Sequence, residues 1–131
     1  MRISEFLEKF DSILLPHGKM QILNRKEGPN KNYGGTVLLD HEDFQIFVSE
    51  DNSHVFVEFL SKFDSRKSAW YPIDLVARCL GITATVSYID KENSDLLNFK
   101  FDDICDLFKK ENVDQTLQQM RLWLAAKTKL N

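Results

Sequence analysis

Residues 43–60 constrain the fold of this chain more tightly than any other stretch. They run Asp43-Phe44-Gln45-Ile46-Phe47-Val48-Ser49-Glu50, then Asp51-Asn52, then Ser53-His54-Val55-Phe56-Val57-Glu58-Phe59-Leu60. Two alternating runs of β-branched and aromatic residues thus flank turn-forming residues, the pattern of a β-hairpin. With Asp51 and Asn52 as a two-residue turn, Val48 faces Val55, Ile46 faces Val57 and Phe44 faces Phe59 on one side. On the other, Ser49 faces His54, Phe47 faces Phe56 and Gln45 faces Glu58. One side is wholly apolar and the other polar with one aromatic pair, as in an antiparallel ribbon half-buried on a core.

The flanking residues supply helices to cover the apolar side. Ile3, Phe6, Leu7, Phe10, Ile13 and Leu14 recur at helical spacing, with Ser4 placed to cap the run and Pro16 to end it. A short strand is expected at Lys19–Asn24, a loop at Arg25–Gly35 and a further strand from Thr36. Asp40-His41-Glu42-Asp43 then breaks that strand or forms its exposed edge. Beyond the polar connector Phe63–Ala69, Pro72 and Gly81 bracket a short helix over residues 73–80. Thr83–Ile89 alternates as a strand, and Asp90–Asn98 reads as a charged loop. Phe101, Ile104, Cys105 and Phe108 form one helical stripe. Val113, Leu117, Met120 and Leu124 form another, with Asn112 as its cap and Trp123 in the core. The fold class expected is α+β. An antiparallel sheet with a central hairpin packs against an N-terminal helix, a short middle helix and two C-terminal helices.

The 131 residues fit one compact domain over 1–131, large enough to bury a core without disulfide or metal. No apolar run nears the ~20 residues that span a bilayer, so no membrane partner is expected. The start, Met-Arg-Ile-Ser-Glu-Phe-Leu-Glu, puts acids inside its apolar pattern and does not read as a signal peptide. Cys79 and Cys105, both among apolar residues, are expected as buried free thiols. Together these features point to the cytoplasm. The net charge of −3 is uneven: residues 40–106 hold six Lys and Arg against fourteen Asp and Glu, while both flanks are net positive. An acidic middle argues against direct contact with nucleic acid, which needs clustered Lys and Arg. It suits a basic protein.

No catalytic or cofactor signature emerges. Adjacent residues on a strand point to opposite faces, so Asp40-His41-Glu42-Asp43 cannot converge on one metal ion. His54 lies elsewhere in the hairpin, and His17 has no partner in sequence. Neither cysteine has a neighbouring histidine to activate it. Gly28-Pro29-Asn30-Lys31-Asn32-Tyr33-Gly34-Gly35 lacks the Gly-Lys-Ser/Thr ending of a phosphate loop and reads as a hairpin connection. No enzyme, cofactor or metal assignment follows from these residues. Paired carboxylates assembled by the fold remain open. More suggestive are the aromatics: Phe47 and Phe56 on the polar side of the hairpin, and Trp70-Tyr71 ahead of the middle helix, either as a staple on that helix or as a partner-facing anchor.

Over about residues 36–81, ending in Trp70-Tyr71-Pro72-Ile73-Asp74-Leu75-Val76-Ala77-Arg78-Cys79-Leu80, the chain resembles small bacterial immunity proteins. These are the antidotes encoded beside contact-delivered or polymorphic toxins. The resemblance lies in element order and composition: a hairpin rich in aromatic and β-branched residues, then a Trp-Tyr step into a short helix. It implies a non-enzymatic binding protein that occludes the active site of a cognate toxin in a tight stoichiometric complex, its carboxylates facing the toxin's basic groups. The expected interface is Asp40, Glu42, Asp43, Glu50, Asp51 and Asp64, with Trp70 or Tyr71 as apolar anchor. The competing expectations are a small ligand-binding or enzymatic domain with a cleft between sheet and helices, and a homodimeric adaptor joined through Phe47 and Phe56.

Overall fold

Strict alternation decides which side of the sheet is dry. The computed structural model describes residues 1–16, 18–30, 33–66 and 69–129; His17, Lys31, Asn32, Lys67 and Ser68 of the readings above lie outside them. Among the described residues, five strands form one antiparallel meander in chain order. They are β1 (Gln21–Asn30), β2 (Tyr33–Asp40), β3 (Phe44–Asp51), β4 (His54–Ser61) and β5 (Tyr71–Pro72). The helices are α1 (Ile3–Lys9), α2 (Ile73–Cys79), α3 (Lys91–Phe99), α4 (Phe101–Leu107) and α5 (Val113–Lys129). This is the α+β arrangement that the hairpin and the helical stripes predict. None of these helices is long and apolar enough to cross a membrane.

The turn of the β3–β4 hairpin falls one residue later than expected. Asn52 and Ser53 take positive φ angles of 49° and 68°, as a type I′ turn requires, and Asn tolerates that backbone best at the first position. The strands consequently slide by two residues: Val48 faces Val57, Ile46 faces Phe59, and Phe47 and Phe56 lie opposite Glu58 and Ser49 instead of each other. A slide of two keeps every side chain on its own side. Phe44, Ile46, Val48, Val55, Val57 and Phe59 are accordingly fully buried, with Val37 and Leu39 of β2 beside them.

Onto this inner face pack Phe6 and Phe10 from the N-terminal segment, Ile73 and Val76 of α2, Leu96 and Leu97 of α3, and Phe108 at the end of α4. Phe44 sits at the centre of an aromatic cluster, 4.8 Å from Phe108 and 6.1 Å from Phe59 between ring centroids. Val113, Leu117 and Met120 complete the core from α5. Each such side chain contributes about 1.5–3 kcal/mol through burial.

Several boundaries differ from the sequence reading, each for a local reason. Arg25–Gly35 is not a loop: β1 runs to Asn30 and β2 starts at Tyr33, an extended hairpin arm. β1 lies at the sheet edge, where a proline such as Pro29 is tolerated, and Gly35, at φ +102°, occupies a spot where a Cβ would strike the Lys26 carbonyl. The N-terminal helix stops at Lys9, a 3-10 turn follows at Asp11–Ile13, and Arg2 rather than Ser4 holds the capping position. Asn112 sends its amide back to the Asp106 carbonyl at 2.8 Å.

Thr83–Ile89 is irregular apart from a bridge between Phe56 and Tyr88. The buried amide of Asn93 takes the Val86 and Tyr88 carbonyls at 3.0 and 2.7 Å, groups that a strand would use for its ladder. Asn93 stands there because 90–98 is not a loop but the cap and nearly the whole of α3, with Asp90 as the cap accepting the Asn93 N–H at 2.9 Å. Tyr71–Pro72 and the Ser87–Ile89 segment bond in turn to the far side of β4, so this strand is not left as an open edge.

Candidate functional site

The expected acidic interface does not assemble as one patch. Asp43 and Asp51 flank opposite ends of β3, about 25 Å apart at the rise of an extended strand. Three of the eight residues are committed to internal contacts. Glu50, 5 % exposed, accepts the Ile3 N–H at 2.8 Å and faces Arg2 at 3.5 Å. Asp64 is equally buried and takes Arg121 Nη2 at 2.7 Å and the Arg66 N–H at 2.9 Å. Tyr71 is buried opposite Phe59, its hydroxyl accepting from Arg121 Nε at 3.3 Å. These three side chains serve the framework, because desolvated carboxylates and a buried phenol need their partners inside. Asp40 bonds Lys62 at 2.9 Å and Gln45 at 3.0 Å, and the Lys62 ammonium holds its carboxyl below the usual range. Glu42, Asp51 and, in part, Asp43 and Trp70 remain at the surface.

The fold does bring a histidine to a cysteine. His41, in the β2–β3 turn, folds inward and stacks on Phe44 at 4.5 Å with its Nε2 3.8 Å from Cys105 Sγ. Its Nδ1 accepts the Asp43 N–H at 3.0 Å, which leaves the proton on Nε2 and pointing at sulfur. Burial holds the thiol up at about 11 and pushes the imidazole down. Both groups are neutral, and the imidazole presents a proton where a base would need a lone pair. The pair packs; it does not form a nucleophile.

Around Trp123 two clefts of about 680 and 640 Å³ flank Arg78, whose guanidinium lies 4.8 Å from the centroid of the indole. Trp123 is therefore at the margin of the core rather than within it. The one carboxylate in the larger cleft, Asp74, already binds Lys127 at 3.1 Å and the Ser87 hydroxyl at 3.4 Å. No three His, Cys, Asp or Glu side chains among the described residues converge as metal ligands.

The most open arrangement lies on the outer face of the sheet, opposite the core. Phe47 and Trp70 meet at 5.8 Å, and Phe56 meets Tyr88 edge-on at 5.7 Å. All four rings are only partly buried. Two of these rings, Phe56 and Trp70, line a groove of about 540 Å³ together with Ser49, Asp51, Glu58, Pro72, Ser87 and Leu124. Glu58 is half-buried there, and burial raises its carboxyl above the usual value. Of the eight expected interface residues, this groove gathers Asp51 and Trp70. Sequence reasoning placed Phe47, Phe56 and Glu58 on this face, without naming Glu58 as a site residue, but missed Tyr88 and Ser87. Glu58 was legible as the lone charge among aromatics in Val55–Leu60; Tyr88 and Ser87 were not, because the irregular course of 83–89 sets their place.

Neither a protein-family model, nor a curated protein, nor a solved structure matches the chain.

Proposed function

We propose that this chain is a non-enzymatic, cytoplasmic binding protein of the immunity type. It neutralises a cognate toxin in a tight stoichiometric complex and occludes the active site of that toxin. The observation that carries this reading is the outer sheet face, where Phe47, Phe56, Trp70 and Tyr88 stay partly exposed around Glu58. Aromatic anchors with a polar rim are what a protein interface uses to hold a partner. The carboxylates of Glu58 and Asp51 give that face the sign to receive a basic toxin surface, and Glu42 and Asp43 add to the field that steers its approach. The quiet chemistry elsewhere, a neutral His41–Cys105 pair and an Asp74 bound to Lys127, is consistent with inhibition by occlusion.

Affinity capture from the native cell, with elution by rising salt and mass spectrometry, tests the reading. Recovery of one stoichiometric basic protein by the wild-type chain, and its loss with a Phe56→Ser, Trp70→Ala variant that melts normally, is the expected result. A partner held equally well by that variant would remove the outer face from the interface. Recovery of the chain alone, from cells that express a neighbouring toxin gene, would remove the immunity reading itself.

A further inference from the structure

Among the described residues, the groove on the outer face holds negative charge without a cation to answer it. The Glu58 carboxylate has no hydrogen bond or ion pair among the described residues, and no Lys or Arg of those residues lines the groove. The fully buried carboxylates are engaged, Glu50 by Ile3 and Arg2, Asp64 by Arg121 and Asp74 by Lys127, and Asp40 is engaged by Lys62. Glu58 is not, and it shares its groove with the rings of Phe56 and Trp70.

We infer that this groove is a receptor for one arginine side chain of the partner protein, with the guanidinium on Glu58 and flanked by Phe56 and Trp70. The assignment rests on the outer face being the partner surface. Three features favour arginine. A planar guanidinium pairs with a carboxylate through two parallel N–H bonds and also stacks on aromatic rings, whereas an ammonium is a more strongly hydrated point charge. Ser49 and Ser87 also line the groove, and their hydroxyl oxygens are of the kind that accepts the remaining N–H groups. Ser87, although it donates to Asp74 at 3.4 Å, keeps lone pairs to accept them. Asp51 at the groove's margin adds a second negative charge. The burial that raises the Glu58 carboxyl is a standing cost that an arriving cation relieves.

Titration of the isotope-labelled chain with N-acetyl-arginine amide, followed by amide and indole NMR shifts, tests this without the partner. The expected result is a saturable response centred on Phe56, Glu58, Trp70 and Ser87. N-acetyl-citrulline amide, which keeps the shape and loses the charge, should bind about tenfold more weakly or not at all, and the lysine analogue more weakly than arginine. Glu58→Gln should weaken the arginine probe about tenfold, and Trp70→Leu should weaken it while leaving the preference over citrulline intact. An equal response to citrulline, shifts scattered away from the groove, or a Glu58→Gln variant that binds undiminished would each overturn the assignment. A chain that captures a partner yet ignores the arginine probe sinks the guanidinium receptor and leaves the partner surface standing. A chain that binds the probe but captures no partner does the reverse.

Discussion

Glu50 of β3 caps the first helix from 47 residues away, its Oε1 accepting the Ile3 N–H at 2.8 Å in a buried setting. The first turn of a helix leaves N–H groups without partners. Here no local side chain supplies one, because the residue at the capping position is Arg2. A carboxylate on the buried side of the hairpin does so instead. Its other oxygen faces Arg2 at 3.5 Å, which ties the start of the chain to the central strand pair.

Gly34 on the adjacent strand makes room for that carboxylate, since a Cβ at Gly34 would occupy the position of Glu50 Oε2. Gly34→Ala should therefore cost about 1–3 kcal/mol by driving Glu50 off the Ile3 N–H and leaving buried polar groups unpaired. Glu50→Ala should cost a similar amount. The double variant should fall short of the sum by at least about 0.5 kcal/mol, because the added methyl then has nothing to displace. Urea unfolding of all four proteins measures this, and strict additivity would separate Gly34 from the cap.

Arg121 anchors α5 to the sheet side of the molecule through Asp64 Oδ1 at 2.7 Å and the Tyr71 hydroxyl at 3.3 Å. The two ends are unequal: the Asp64 side chain is 0 % exposed and that of Arg121 34 %. Arg121→Met should destabilise by about 2–3 kcal/mol, below the about 3–5 kcal/mol of a fully buried broken pair because solvent already screens the arginine. Replacing Asp64 by Asn in that background should return part of the loss, by removing the stranded charge. A second substitution that deepens the loss would mean that Asp64 is held by Arg66 alone.

How much of this could be read in advance divides along the length scale of the signal. Period-two alternation in β3 and β4 identified the six buried residues correctly even though the turn moved from Asp51–Asn52 to Asn52–Ser53, because face depends on parity and survives a slide of two. Pro72 and Gly81 bracketed α2 for the same local reason. Helix α3 escaped notice because its short apolar set, Leu96, Leu97 and Phe99, hides in a charged stretch and its cap lies in Asp90–Asn93. The buried fates of Glu50, Asp64 and Tyr71 were not legible at all. Each depends on a partner 47 to 57 residues away, and nothing local distinguishes a paired inward carboxylate from a solvated one. The groove was half-legible: Phe47 and Phe56 share a face in any even register, but Tyr88 arrives through an irregular segment with no periodicity to follow.

If the outer face is a surface and the inner face a core, equal chemistry on the two should carry unequal cost. Phe59, on the inner face of β4, is fully buried and lies 5.9 Å from Phe108 in stacked geometry. Phe59→Ala should destabilise by about 3–5 kcal/mol. Phe47 and Phe56 are partly exposed, so replacing either by Ser should cost less than about 2 kcal/mol. Chemical unfolding of the three variants decides the point. A loss at Phe47 or Phe56 equal to that at Phe59 would mark both faces as core and leave no aromatic surface for a partner.

His41 makes stability depend on pH in a window that Asp40 leaves clear. Unfolded, its imidazole titrates near the ordinary 6.5; folded, burial lowers that value, with Lys19 and Lys62 acting in the same direction and Asp43 and Glu42 opposing. Above about pH 6.5 the ring is neutral in both states and adds no pH dependence. As pH falls through 6.5 the unfolded chain binds a proton that the folded chain refuses, so stability drops until the folded value is passed. Asp40, whose carboxyl Lys62 holds below its ordinary 3.8, contributes its own loss only as pH falls below that ordinary value. Between pH 7 and pH 5 the urea midpoint of the wild-type chain should fall more than that of a His41→Gln variant. The variant should be less stable at pH 7, since it loses the stack on Phe44, and the difference between the two proteins should narrow toward pH 5. Parallel pH profiles would mean that His41 is already free to take its proton in the folded chain, and the inward, neutral imidazole beside Cys105 would have to be abandoned.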